Sequence, residues 1–243
     1  MTDPATARPR GPAAVAALPK DRLLGEFSMW SADLVDLARD LDRVAPHADL
    51  LHIDVADGRF APAFLFFPDL VAAIARKTTV PIHVHLMVED DVVEAQARQF
   101  VEAGADLVSV HAENGAAGHA AIRTIRALGA EAGVVLRLET PVETARPFVG
   151  DVAMLTLLGT AIGIKGQGLS DTACPRLGEA RAMLRREGRE AVILAADGGI
   201  RHDTVPRLRA AGADTVVLGS LAFGDPDLAG RVAWLRALPC DPR

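Results

Sequence analysis

Tyrosine is absent from these 243 residues, and all aromatics together make up 4%. So sparse a supply leaves little for the stacked-ring platforms that grip single-stranded nucleic acid. Positive charge is not in excess either. Lys and Arg number 26 against 32 Asp and Glu, a formal charge of −6, which removes any general attraction to nucleic acid or anionic lipid. A local basic pocket for a small anion is compatible with that total. Two cysteines, Cys174 and Cys240, cannot build a disulfide framework or a four-thiolate zinc site, and a reducing, cytoplasmic location is expected. No apolar run approaches the roughly 20 residues that span a bilayer. Residues 1–20 are rich in Ala and Pro, and their longest apolar run is too short for a signal sequence. They are read as a flexible arm ahead of one domain over residues 21–238.

What is present is rhythmic. Half the residues are hydrophobic and 24% are charged, as in an ordinary folded domain. Short apolar, β-branched runs fall at residues 23–28, 49–55, 80–86, 106–111, 132–138, 152–158, 191–197 and 214–220. Between them lie stretches with helical spacing of apolar residues, at 32–44, 92–103, 118–128, 176–186 and 204–211. Strands alternating with helices imply parallel pairing, because each helix returns the chain to the same edge. Eight such units in this length predict a single-domain α/β protein, a (β/α)8 TIM barrel. A doubly wound sheet is the weaker alternative, because no dinucleotide fingerprint follows the first strand.

In such a barrel, chemistry sits at the carboxyl ends of the strands. Those ends carry His52 and Asp54, His83 and His85, Ser109 and His111, Asp197-Gly198-Gly199 and Gly219-Ser220. Alternation puts His52 and Asp54 on one face and Leu51, Ile53 and Val55 on the other. His52, Asp54, His85 and Asp197 offer the imidazole and carboxylate donors that suit one divalent cation such as Zn, Fe, Mn or Co. Gly198-Gly199 and Gly219-Ser220 fit either a backbone phosphate cradle or ordinary tight turns with Ser220 as a cap.

The segments SMWSADL, LHIDVADGRFAP, HVHLMV, SVHAE, ETP, KGQ, ADGGI and VLGSLAFG resemble, in order and spacing, those of the ribulose-phosphate 3-epimerase family over roughly residues 24–225. The resemblance implies a (β/α)8 fold, one divalent metal ion, a phosphorylated ketose substrate and a homo-oligomer. By position it makes His52, Asp54, His85 and Asp197 the metal ligands, with Asp54 and Asp197 also the acid/base pair. It places Ser28 and Met87 near the substrate, and Gly198, Gly199, Gly219 and Ser220 at the phosphate.

Departures gather where the substrate is expected. Ala56 and Leu155 stand where the family usually carries Met. The loop over residues 158–167 is longer and adds Lys165, with Gly166 and Gln167 retained, and Arg137 replaces a usual Asn. Arg59 is read as solvated. Glu26 shares parity with Ser28 and is expected inside the barrel, where an ion pair with Arg137 is the plain reading. Arg137 and Lys165 are alternatively anion ligands for an unusual substrate. His83 is read as a core or supporting residue, and His111 as a candidate pocket residue. The expected activity is inversion at C3 of a ketose phosphate through an enediolate. A related-barrel decarboxylase or aldolase and a non-catalytic sugar-phosphate sensor are the alternatives.

Overall fold

The structure, a computed structural model, describes residues 9–239. Its strands are β1 (Leu24–Ser28), β2 (Leu50–Asp57), β3 (Phe64–Leu65), β4 (Ile82–Met87), β5 (Leu107–His111), β6 (Glu131–Leu136), β7 (Met154–Leu158), β8 (Ile193–Asp197) and β9 (Thr215–Leu218). All but β3 pair in parallel in the order β1-β9-β8-β7-β6-β5-β4-β2, and β2 returns to β1 to close the ring. This is a TIM barrel in one domain. The short β3 lies antiparallel on the end of β2, an addition that the sequence pattern did not announce.

Helices surround the ring: α1 (Pro12–Ala16), α2 (Leu37–Val44), α3 (Pro68–Lys77), α4 (Val93–Ala103), α5 (Gly115–Ala127), α6 (Ala173–Arg186), α7 (Thr204–Ala210), α8 (Ser220–Phe223) and α9 (Leu228–Arg236). No helix among the described residues is long and apolar enough to cross a membrane. The largest shift from expectation is at α2, whose first five expected residues are not helical. There the Asp33 carboxylate accepts from the Val35 amide, and Asp40 accepts from the Asp33 amide. These side-chain bonds offer the backbone an alternative to the helix.

Alternation along the strands sorts the two sides of the wall. Leu51, Ile53, Val84, Leu86, Val108 and Val110 point outward into one core shared with helix residues such as Phe100, Ile122 and Leu184. Inside, Leu24, Leu50, Leu107, Met154 and Ala195 form an apolar floor at the amino end of the barrel, joined by Val15 and Leu18. The arm expected to be free is therefore anchored where it is described. Its α1 turn carries buried residues under the floor, and Gly11 and Arg10 bond the Asp106 carboxylate. Residues 1–8 and Cys240 lie outside the described residues.

Aspartates pin the same rim. Asp49 accepts from the Gly25 amide, Asp106 from Ile82 and Asp214 from Leu194, each tying its strand to a neighbour. Arg22, Arg10 and Arg181 pair with the three carboxylates in turn.

Candidate active site

Above the apolar floor the barrel interior turns polar. Registers His52↔His83 and Asp54↔His85 between β2 and β4 stack two imidazole-bearing layers. His52, Asp54, His85 and Asp197 bring one ligand atom each within 4.8 Å of all the others. His52 Nε2 lies 3.4 Å from Asp54 Oδ1 and 3.9 Å from Asp197 Oδ2. His85 Nδ1 lies 3.6 Å from each of the same two oxygens. Atoms bound about 2.1 Å from a tetrahedral ion sit roughly 3.4 Å apart, so the spacing fits a common cation better than hydrogen bonds.

Tautomer accounting leads to the same place. His52 Nδ1 faces the Glu26 carboxylate at 3.0 Å, and a carboxylate only accepts. His111 Nδ1 likewise faces Glu113 at 3.0 Å. Its Nε2 must then accept from His85 Nε2, 2.9 Å away. What remains is a lone pair on His52 Nε2 and another on His85 Nδ1. Both are buried side-chain atoms without a hydrogen-bond partner, an expensive condition unless they meet an ion. The four residues could hold a divalent cation.

The two aspartates differ in environment. Ser28 donates to Asp54 Oδ2 at 2.7 Å. Burial would raise the Asp54 carboxyl, but the His52 and His85 imidazoles overcome it and hold it far below the usual carboxylate range. Asp197 is displaced upward, by burial and by the nearby Asp54 charge. Burial opposes positive charge at the His52 ring, but the Asp54 and Glu26 carboxylates favour it more strongly, and this is the negative field in which its Nε2 would meet a cation.

A cavity of about 330 Å³ opens over the cluster. Ser28, Asp54, His85, Met87 and Asp197 form its base. Gly198, Gly199, Gly219 and Ser220 form one wall, and Lys165, Gly166 and Gln167 belong to the loop that covers it. Gly198 and Gly199 have φ of 89° and 70°. A Cβ on Gly198 would meet Thr160 Oγ1 at 2.3 Å, and one on Gly199 would meet the Leu169 backbone at 2.6 Å. Only glycine lets this turn approach the covering loop so closely.

Lys165 donates to the Trp30 carbonyl and lies 4.6 Å over the Trp30 ring, which ties the covering loop to the segment after β1. Gln167 spends its side-chain amide on the Ala161 and Ile164 carbonyls, so it shapes the loop. Trp30, Thr160 and Arg201 also line the cavity, and the sequence reading did not select them. Trp30 lies within SMWSADL and Arg201 directly follows ADGGI, so motif adjacency was the available signal.

Some expectations need correction. Arg137 is not among the cavity-lining residues, and Glu26 pairs with histidines instead of with it. The Arg137 guanidinium lies 4.0 Å from the Phe60 ring centre and donates to the Phe60 carbonyl at 2.9 Å. His111 is fully buried and not among the lining residues; it bonds His85 instead. Leu155 packs in the outer core, while Leu158 reaches the cavity. Arg59 is exposed and lies near Asp91.

The fold resembles the crystal structure of orotidine 5'-phosphate decarboxylase from Pyrococcus horikoshii OT3, with a TM-score of 0.63 at 16% identity over 88% of this chain and 97% of that one. At that identity the likeness concerns the fold alone. The sequence is 34% identical over 210 residues to the ribulose-phosphate 3-epimerase of Bacillus subtilis (strain 168), covering 86% of this chain and 96% of that protein. It is 31% identical over 221 residues to the chloroplastic ribulose-5-phosphate-3-epimerase of Arabidopsis thaliana, covering 90% and 78% respectively. The family model for the ribulose-phosphate 3 epimerase family matches residues 26–223, and with it this chain belongs to that family.

Proposed function

We propose that the protein is a divalent-metal-dependent epimerase that inverts C3 of a ketose phosphate, of which ribulose 5-phosphate and xylulose 5-phosphate are the reference pair. One observation carries the reading: two carboxylates, Asp54 and Asp197, converge on one point from different strands of the barrel. Inverting a carbon beside a ketone requires a base on one face and an acid on the other. For one epimer Asp54 acts as the base, and Asp197 in its acid form returns a proton from the other side. The roles exchange in the reverse direction. Ser28 holds Asp54 in place through its second oxygen.

His52, Asp54, His85 and Asp197 would hold the cation, which when bound supplies electrophilic stabilisation for charge developing on the substrate oxygens. The turns at Gly198-Gly199 and Gly219-Ser220 receive the phosphate, and Met87 packs beside the sugar. The Lys165-Gly166-Gln167 loop covers the site and excludes water. A decarboxylase or an aldolase has no need for an acid/base group on each face of one carbon, which favours epimerisation over those readings.

The test is deuterium wash-in followed by NMR across a panel of ketose phosphates, with added Zn²⁺, Mn²⁺, Co²⁺ or Fe²⁺ and with chelator. The expected result is exchange at C3 with formation of the other epimer, lost on chelation. Release of CO₂ or an aldehyde, or tight binding with no exchange under any metal, would overturn the proposal.

A further inference from the structure

One layer below the cluster, a fully buried carboxylate stands at the centre of the barrel. Glu26 Oε2 faces His52 Nδ1 at 3.0 Å and His83 Nδ1 at 2.6 Å, while Oε1 accepts from Thr215 Oγ1 at 3.2 Å. Its salt-bridge partners among the described residues are the two imidazoles alone. Because the carboxylate only accepts, both rings donate from Nδ1. His83 Nε2 then accepts from Ser109 Oγ at 2.7 Å. A Cβ at Gly133 would come within 2.0 Å of that hydroxyl oxygen, so the glycine makes room for it. The chain of donors runs from Ser109 through His83 to Glu26, and from His52 to Glu26.

We propose that Glu26 is a positioning residue of the active site, which fixes His52 as the Nδ1–H tautomer and so presents its Nε2 lone pair to a cation held with Asp54, His85 and Asp197. This rests on the metal-dependent reading above. The alternative His52 tautomer would direct an N–H at Asp54 Oδ1 and Asp197 Oδ2, 3.4 and 3.9 Å away, in the space that the ion needs. Glu26 also adds a fully buried negative charge one layer beneath Asp54 and Asp197. An uncompensated buried charge is costly, and a divalent cation one layer above supplies the compensation. A carboxylate behind a ligating imidazole orients the ring and raises its basicity.

Glu26→Gln keeps the volume and removes the charge. Zn²⁺ competition with a chromophoric chelator, and Co²⁺ titration followed by visible absorption, compare it with the wild type. The expected loss of affinity is about 10- to 100-fold. Ser109→Ala, which cuts the chain on the far side of His83, is expected to bind Zn²⁺ as the wild type does. Equal affinity of Glu26→Gln and wild type overturns the role of Glu26 while leaving the metal reading standing. A wild type that binds neither ion overturns both.

Should Glu26→Gln fail to fold, the wild type provides the decisive measurement. In ¹¹³Cd²⁺-loaded, ¹⁵N-histidine-labelled protein, His52 is expected to couple to cadmium through Nε2 and carry its proton on Nδ1. Coupling through Nδ1 refutes the proposal.

Discussion

Asp54 and Asp197 come from strands separated by β1 and β9 around the ring, yet each places a carboxylate oxygen 3.6 Å from His85 Nδ1. That convergence makes the pair indivisible for chemistry. Asp54→Asn and Asp197→Asn, which preserve shape, are each expected to lower the rate of C3 inversion by about 10²–10⁴-fold. Epimer conversion followed by NMR checks this. A variant of either residue retaining near-wild-type conversion would remove that residue from the acid/base pair.

The amino end of the barrel supplies a stability prediction. Leu18 is 8% exposed and packs with Val15 into the floor beside Leu24, Leu50 and Met154. Leu18→Ala is expected to cost about 2 kcal/mol, the low end for a buried leucine, with the site unchanged. Chemical denaturation together with Zn²⁺ affinity checks both halves. A loss of stability below about 0.5 kcal/mol would mean that the arm is only loosely held.

The barrel was legible because period-2 alternation in segments such as LLHIDV must put one face on the helices and the other inside. The convergence of His52, Asp54, His85 and Asp197 was legible for the same reason, once eight strands closed the ring. The anchored arm was not. Val15 and Leu18 sit in an Ala- and Pro-rich stretch with little periodicity, and only the floor of the barrel gives them a partner. For Arg137, strand parity specifies a direction but not a length of reach. A guanidinium at the end of a strand can lie flat against Phe60 as readily as enter the cavity. Glu26 was placed inside correctly, but its partners depended on His83, which lies one layer below His85 on β4.

Arg137 therefore yields a prediction opposite to that of an anion ligand. Its guanidinium braces Phe60, whose ring lies 4.8 Å from that of His111. Arg137→Ala is expected to cost about 1–2 kcal/mol of stability through the lost hydrogen bond and cation–π contact, with KM for the ketose phosphate little changed. Steady-state kinetics and thermal melts together decide it. A large rise in KM without loss of stability would restore Arg137 to the substrate.

His111 sets a pH dependence. Burial is the main cause that takes its imidazole down to about 4 from 6.5, with Glu113 opposing and His85 assisting the shift. The unfolded chain takes up this proton near 6.5, whereas the folded metal-free protein refuses it until about 4. Across that window the unfolded state binds more protons, so the contribution of neutral His111 is fully present above pH 6.5 and is lost as the pH falls through about 4. Integrated over the interval, the loss is on the order of 3 kcal/mol. Glu113, held at about 2 where burial is outweighed chiefly by its bond to His111, acts in a lower window, below its usual carboxyl range. Urea denaturation of metal-free wild type and His111→Gln between pH 7 and pH 4 should therefore show the stability advantage of the wild type shrinking steadily. A difference that stays constant over this range would mean that His111 takes up its proton in the fold as readily as in the unfolded chain. One that grows as the pH falls would mean that it is already protonated in the fold. In either case the assignment of His85 as donor to His111 would fail.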